Sequence, residues 1–325
     1  MAPVCAQQEQ APSAAAADRR AVLLGLAGAA IAAPLVGAAP AEAKIQMLPV
    51  SSLTIGQRTD IIKEVQSRSA EEFKKVLTAA DAPAAMKLLL HDAGTYDRAT
   101  GTGGCDGSIV IFPEELDRPE NRDLKPFVEK LKQAKAAIDA RRQEGQAPLS
   151  WADTIVLAAK TTQELAWRED KISKAADPAK GAIIADGFGN PIRVRIGRVD
   201  ATEPAPAGRI PADGAALEEV QAFFNQLGAK AGKRPPLWER QQYLIWPATQ
   251  ADQTAAEEKL AAYSNDYAKW KKQYDISKTT VTRTSYEEDL GAALAVLAEQ
   301  GANFDKASGR SGGPCPIAML VPNRL

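Results

Sequence analysis

Apolar residues recur every three to four positions along most of the chain, which is the period of amphipathic α-helices rather than of strands. Two short stretches, 181–185 and 192–199, have the composition of strands but lie in a segment rich in glycine and proline. The pattern therefore predicts a mainly α fold, a single helical domain with long ordered loops. The predicted helices span 52–80, 81–93, 121–142, 150–167, 216–228, 254–274 and 285–300.

Capping residues indicate where two of these helices begin. Asp81 stands at the N-cap position of the helix 81–93, and Pro83 suits its first turn. Ser150 is the predicted N-cap of the next long apolar helix, and Asp153 holds the capping-box position three residues later. The run 155–159 is apolar on most sides, which predicts that this helix lies at the centre of the fold.

Composition excludes some classes of function. The chain has 325 residues, of which 45% are hydrophobic and 25% charged, and a net charge of −1, as is ordinary for a globular protein. Because basic residues are not in excess, we expect no nucleic-acid partner. The cysteines are Cys5, Cys105 and Cys315, with no CxxC pair, so we expect no metal site of the zinc type. Pairing of Cys105 with Cys315 stays open.

Residues 1–43 have the features of a targeting peptide rather than of a folded domain. Arg19 and Arg20 precede a weakly apolar run, 21–39, which is followed by the small-x-small sequence 41–43. This order is typical of a translocation signal, and paired arginines favour the twin-arginine route. An additional segment in front of such a signal indicates a bipartite address for the chloroplast thylakoid lumen. A bacterial periplasmic protein is the alternative.

The rest of the chain divides into a helical domain, 44–308, and an irregular C-terminal tail, 309–325. Cleavage after Ala43 would start the mature chain at Lys44. No second apolar run is long enough to span a bilayer, so we expect no transmembrane segment in the mature chain.

His91 is the only histidine in the chain, and a glycine-rich loop follows it directly. Lys87 precedes it by four residues, so both side chains share one face of the predicted helix 81–93. A histidine beside a cation can act as a general base while the cation stabilises developing negative charge. The alternative is a histidine at the end of a helix that donates a hydrogen bond to a loop carbonyl. The residues around His91 fit both interpretations.

Four motifs occur in the order found in one enzyme family. They are "KLLLHDAGTYDRATGTGGCDGSI", "FPEELDRPENRDL", "SWADTIVLAAK" and "GRVDATEPAPAGRIP". The first resembles the distal helix and loop of the class I haem peroxidases, the ascorbate peroxidase group. The second resembles the stretch whose asparagine holds the distal histidine. The resemblance covers residues 50–228 and implies a haem-peroxidase-like helical fold, shortened in its proximal half.

By position, the resemblance assigns a degenerate distal site to His91, Lys87, Leu90 and Asn121. In the family, the distal histidine takes a proton from bound peroxide, an arginine stabilises the developing charge, and a tryptophan stacks above the haem. Here Lys87 replaces the arginine and lacks its planar fork of donors. Leu90 replaces the haem-stacking tryptophan, so we expect this distal site not to work in catalysis.

The family also binds haem iron through a proximal histidine, for which residues 229–253 contain no counterpart. One imidazole cannot serve both as the iron ligand and as the base on the other face of the haem. We therefore expect no cofactor, with haem b bound only if another residue ligates it. The alternative ligands are Tyr243, Tyr263, Met319 and Cys315.

The C-terminal segments and the targeting peptide resemble one ascorbate-peroxidase-related subfamily of the thylakoid lumen. That resemblance covers residues 45–305 and implies a chain without peroxidase activity that associates with the thylakoid membrane or photosystem II components. The chain departs from the plant members in keeping His91, where those carry asparagine. The alternatives are a haem-dependent ascorbate peroxidase with altered ligation and a module that binds a small molecule in the vacated haem cleft.

Overall fold

The structure, a computed structural model, describes residues 45–48, 53–143, 146–189, 192–228, 238–280, 285–304 and 319–322. The predicted targeting peptide, 1–43, lies outside these residues. The described chain forms β1 (Ile45–Leu48), α1 (Ile55–Val76), α2 (Ala82–Gly94), α3 (Ser108–Ile111), α4 (Pro113–Leu116), α5 (Lys125–Ala140), α6 (Trp151–Lys174), α7 (Pro178–Phe188), α8 (Leu217–Gly228), α9 (Trp238–Ala248), α10 (Gln253–Tyr263), α11 (Asn265–Lys278), α12 (Ser285–Leu297) and β2 (Met319–Pro322).

The strands β1 and β2 form a two-stranded antiparallel sheet. Ile45 lies opposite Pro322, and Leu48 lies opposite Met319. The tail 309–325, which we predicted to be irregular, therefore contains a strand. Its partner is far away in sequence, so the local pattern gives no indication of the pairing.

α6 lies at the centre of the fold, as its apolar run predicts. Residues 155–159 are all buried, and the helix packs against α1, α2, α5 and α7. Ser150 caps α6 by accepting a hydrogen bond from the backbone N–H of Asp153 at 3.1 Å. Because α2 packs directly on α6, the helix that carries His91 rests on a close-packed support.

Asp153 does not complete a capping box, contrary to the prediction. Its buried carboxylate forms an ion pair with Arg198, with 2.8 Å between Oδ1 and Nη1. Arg198 also donates through Nε and Nη2 to the backbone carbonyl of Ala298. Burial raises the pKa of the Asp153 carboxyl, and the charge of Arg198 opposes this increase. The pair joins the first turn of α6, the segment 192–199 and the residues after α12.

The first predicted helix, 52–80, is shorter than expected because a 3₁₀ turn, Ala79–Asp81, replaces its end. Asp81 Oδ2 accepts a hydrogen bond from the backbone N–H of Thr78 at 2.9 Å. The Asp81 side chain therefore closes this turn. It makes no capping hydrogen bond to α2, contrary to the prediction. Pro83 lies in the first turn of α2, in agreement with the prediction.

Two other predicted helices are interrupted. The helix predicted over 121–142 begins only after a 3₁₀ segment, Pro119–Leu124, which instead contains Asn121. The helix predicted over 254–274 is divided at Ser264, whose hydroxyl caps α11. In both cases a local turn breaks the helical hydrogen bonds, although apolar residues continue to recur at helical spacing through it. The spacing alone therefore does not show where the helix begins or breaks.

The strand prediction for 181–185 is wrong, because this segment lies within α7. Asp177 caps α7 by accepting from the backbone N–H of Ala179, a signal that outweighs the short apolar run. The sequence pattern also does not predict α9. This helix contains Pro247, a residue that normally argues against a helix because it has no N–H to donate to the carbonyl four residues earlier.

Cys105 is a buried free thiol, and burial raises its pKa. Cys5 and Cys315 lie outside the described residues. Within the described part of the chain, no helix is both long and apolar enough to cross a membrane.

We expect Arg198→Met to lower the free energy of unfolding by about 3–5 kcal/mol, because it leaves the buried Asp153 carboxylate without its partner. Urea denaturation followed by circular dichroism measures this change. Arg168→Met is the matched control, since it removes an exposed ion pair with Asp186 and should leave stability nearly unchanged. Similar stability losses in the two variants would contradict this prediction.

Candidate functional site

A cavity of about 410 Å³ lies beside His91. α2 and α8 contribute to its walls together with the segment 210–215, and α9, the turn after it and α10 complete them. Its volume is typical of small-molecule sites. We call this cavity the cleft, and it is lined by Lys87, Leu90, His91, Ile210, Pro211, Ala212, Asp213, Gly214, Ala215, Val220, Phe223, Phe224, Trp246, Thr249, Gln250, Ala251, Asp252, Ala255, Ala256 and Lys259.

Asn121 fixes the orientation of His91. The Asn121 side-chain nitrogen donates to the backbone carbonyl of Glu115 at 2.8 Å, so the amide oxygen faces His91 Nδ1, 2.7 Å away. Because an amide oxygen only accepts, Nδ1 carries the proton and Nε2 presents a lone pair. Nε2 makes no hydrogen bond to any described residue. His91 therefore offers the cleft a hydrogen-bond acceptor and does not donate to a loop carbonyl.

The His91 imidazole is neutral at neutral pH. Burial lowers its pKa to about 4, the hydrogen bond with Asn121 opposes this shift, and the positive charge of Lys87 adds to it. A general base works best when its pKa is near the working pH. His91 is therefore oriented as a base but is a weak one.

Lys87 is held between two carboxylates at the edge of the cleft. Its Nζ donates to Asp123 at 2.8 and 2.9 Å and to Asp213 at 2.8 Å. The lysine side chain is buried, whereas both aspartates are more than half exposed. Since Asp213 belongs to the segment 210–215, this arrangement, which we call the Lys87 clamp, ties that segment to α2. It also neutralises the cation that the resemblance places beside the base.

The glycine-rich loop after α2 supports the helix and does not line the cleft. Gly103 has a positive φ of 71°, and a Cβ there would lie 2.5 Å from the backbone oxygen of Thr95. The buried carboxyl of Asp92 accepts a hydrogen bond from the backbone N–H of Gly107 at 3.0 Å. Burial, with a further contribution from Asp106, raises the pKa of Asp92. These contacts give the loop a structural role.

The family that the motifs resemble binds haem, whose iron needs a ligand from the protein. The residue types that ligate haem iron are histidine, cysteine, methionine and tyrosine. Among the described lining residues, His91 alone belongs to them, and the wall formed by α9 and its following turn presents Trp246, Thr249 and Gln250. The lining therefore does not fit a haem that needs one imidazole on the iron and another as base.

Two of the alternative ligands lie away from the cleft. Tyr243 is fully buried and stacks on Tyr274, with 5.8 Å between ring centres. Tyr263 is at the surface and donates a hydrogen bond to Gln221. Cys315 and the Met319 side chain lie outside the part of the chain that the structure describes.

Four residues of the site are not predicted from the sequence, namely Asp123, Asp213, Trp246 and Lys259. Asp123 lies two residues after Asn121 in the same motif, so the motif could have predicted that Asp123 belongs to the site. Asp213 is 126 residues from Lys87 along the chain, and Trp246 and Lys259 lie in segments without a recognisable motif. Only the folded chain brings these residues together.

Because the chain has one histidine, a single imidazole resonance reports on this site. We expect an NMR titration to give a pKa of about 4 for His91, rather than about 6.5 as in an unfolded chain. Lys87→Met should raise this pKa, because it removes a nearby positive charge and leaves two negative ones.

The matched control is Lys132→Met, which removes an exposed lysine paired with Glu129 and should leave the His91 pKa unchanged. A wild-type pKa near 6.5, or a decrease in the Lys87→Met variant, would contradict the site geometry.

Comparisons with known proteins agree with this fold. A sequence model of the family described as Peroxidase matches residues 65–232. The thylakoid lumenal 29 kDa protein, chloroplastic, of Solanum lycopersicum is 34% identical over 264 residues, which cover 77% of this chain and 73% of that protein. Putative L-ascorbate peroxidase 6 of Arabidopsis thaliana is 30% identical over 165 residues, covering 51% of this chain and 41% of that protein.

The crystal structure of the TL29 protein from Arabidopsis thaliana superimposes on this chain with a TM-score of 0.67 and 30% identity. The match covers 78% of this chain and 97% of that one. The predicted mainly α, haem-peroxidase-like fold is confirmed, and so is the location in the chloroplast thylakoid lumen. The chain therefore belongs to the peroxidase family, as an ascorbate-peroxidase-related member of the thylakoid lumenal 29 kDa group.

Proposed function

We propose that this lumenal chain is a peroxidase-fold protein without peroxidase activity that associates with the thylakoid membrane near photosystem II. The residues that line the cleft support the absence of peroxidase activity. His91 is its one residue of an iron-ligating type among those described, whereas histidine-based haem catalysis needs two imidazoles. On this proposal the protein holds no cofactor.

The Lys87 clamp supports the same proposal. Cleavage of a peroxide O–O bond leaves negative charge, which a nearby cation stabilises less when carboxylates already balance its own charge. Here Asp123 and Asp213 each lie 2.8 Å from the lysine nitrogen. The neighbouring Leu90 also offers the cleft no aromatic ring.

A haem-dependent ascorbate peroxidase with altered ligation is the second candidate. The observation that favours it is the His91–Asn121 hydrogen bond, which keeps the imidazole in the tautomer that a distal base requires. On this alternative the cofactor is haem b, which brings the redox chemistry. The residue that ligates the iron would then lie outside the described lining of the cleft.

A haemin titration of the full chain distinguishes the two candidates. We expect no sharp, stoichiometric Soret band and no peroxide-dependent oxidation of ascorbate, because the cleft lacks a second imidazole. An ascorbate peroxidase treated in the same way is the positive control. A stoichiometric band together with turnover would overturn the first proposal. In that event, His91→Ala should abolish turnover and spare the band if His91 is a base, or remove the band if His91 is the ligand.

The membrane association rests on the resemblance to the lumenal subfamily and needs its own test. We expect the chain to sediment with washed thylakoid membranes. A smaller fraction of it should sediment with membranes depleted of photosystem II. Quantitative immunoblotting of pellets and supernatants measures the two fractions. Full recovery in the supernatant with both membranes would rule out docking, and equal binding to both would rule out photosystem II as the site.

A further inference from the structure

Five of the six tyrosines in the chain form one contiguous aromatic group. They are contributed by α9, α10, α11 and α12, which are distant from the His91 motif in sequence. Neighbouring rings lie 5.3–6.5 Å apart, centre to centre, within the range of direct aromatic contact. We call this group the tyrosine cluster, and it consists of Tyr243, Tyr263, Tyr267, Tyr274 and Tyr286.

The cluster runs from the surface into the interior. Tyr263 is 36% exposed, and its ring lies 6.5 Å from that of Tyr267. Tyr267 lies 6.2 Å from the fully buried Tyr243, which stacks on Tyr274 at 5.8 Å and 17° between ring planes. Electron transfer between aromatic rings slows steeply with distance, so a series of rings at contact distance is a favourable route for single electrons.

Packing alone does not account for tyrosine at position 243. The Tyr243 hydroxyl is buried and has no hydrogen-bond partner among the described residues. An unsatisfied buried hydroxyl costs free energy, which phenylalanine would avoid while filling the same space with the same ring. A phenol, however, loses an electron far more readily than an unsubstituted phenyl ring. The hydroxyl at this position therefore favours a redox role.

The hydroxyl of Tyr274 contacts a carboxylate. It donates to Asp289 Oδ2 at 2.6 Å, and Asp289 is half-buried. Removing one electron from a phenol makes its O–H group strongly acidic. A base already hydrogen-bonded to that group accepts the proton in the same step and so eases the oxidation.

The hydrogen bonds described for the other hydroxyls are to amide groups. Tyr267 donates to the amide oxygen of Gln242 at 2.5 Å, and Tyr263 likewise donates to an amide oxygen. Tyr286 accepts a hydrogen bond from an amide nitrogen. Among the contacts described for the cluster, the Tyr274–Asp289 hydrogen bond is therefore the one that best stabilises an oxidised state.

We propose that the tyrosine cluster is a redox site that takes up one oxidising equivalent from an organic oxyl radical at exposed Tyr263 and holds it at Tyr274. The oxyl radical gains one electron and takes a proton from solvent to become a hydroxyl compound. Tyr274 loses one electron, and its phenolic proton passes to the carboxylate of Asp289. The products are a neutral tyrosyl radical, a protonated Asp289 and the hydroxyl compound. One electron moves between protein and oxidant, and protons are the only atoms that change place. This activity is independent of haem.

The test uses the full chain and photogenerated tris(bipyridine)ruthenium(III) as the one-electron oxidant. Electron paramagnetic resonance of freeze-trapped samples should detect a tyrosyl radical in the wild type. Tyr274→Phe keeps the ring but removes the hydroxyl, and should abolish this trapped signal. Asp289→Asn should slow radical formation by about 10²-fold, the lower end of what a positioned base contributes, whereas Asp289→Glu should restore it.

Tyr96→Phe is the matched control, because Tyr96 is the one tyrosine of the chain outside the cluster. It should leave both yield and rate unchanged. Thermal unfolding of each variant shows that the fold is intact. The proposal is overturned if the wild type gives no tyrosyl radical, or if yield and rate are the same in the wild type, Tyr274→Phe and Asp289→Asn.

Discussion

The buried contact between the first turn of α6 and the segment after residue 192 holds the domain together. Asp153 pairs with Arg198, and Asp200 accepts hydrogen bonds from the backbone N–H groups of Trp151 and Ala152 at 3.0 Å each. An unpaired charge at this depth is strongly destabilising, so the pair specifies one arrangement of the chain. Since α2 rests on α6, the position of His91 depends on this contact.

The four motifs that resemble the peroxidase family contact one another in the fold. The motif of α6 binds the motif that contains Arg198, as described above. His91 in the first motif is bonded to Asn121 in the second, and Glu115 in the second accepts from the backbone N–H of Ala205 in the fourth at 2.7 Å. These contacts join the four motifs in the fold whether or not the protein catalyses a reaction. Their presence is therefore evidence for the fold rather than for the activity.

Lys87 and Leu90 differ in type from the residues that the resemblance implies for charge stabilisation and haem stacking, and the proposed loss of activity rests partly on these differences. Lys87 serves as the centre of the clamp, and Leu90 lines the cleft without an aromatic ring. The tyrosine cluster lies in the C-terminal helices, which contribute only part of the cleft lining. The redox role that we propose for it therefore does not depend on whether haem binds.

The sequence by itself determined the mainly α fold and the central position of α6, because these features follow from local periodicity. The pairing of His91 with Asn121 followed only from the resemblance of two motifs to the peroxidase family. The sequence did not determine the break at Ser264, the helix α9 or the partner of Asp153. The partner of Asp153 lies 45 residues further along the chain, whereas the break at Ser264 is a local cap that leaves the apolar period unchanged. In the site, the Lys87 clamp and the tyrosine cluster consist of ordinary charged and aromatic residues. Only the tertiary structure places those charges within 3 Å and those rings in contact, and burial then determines their chemistry.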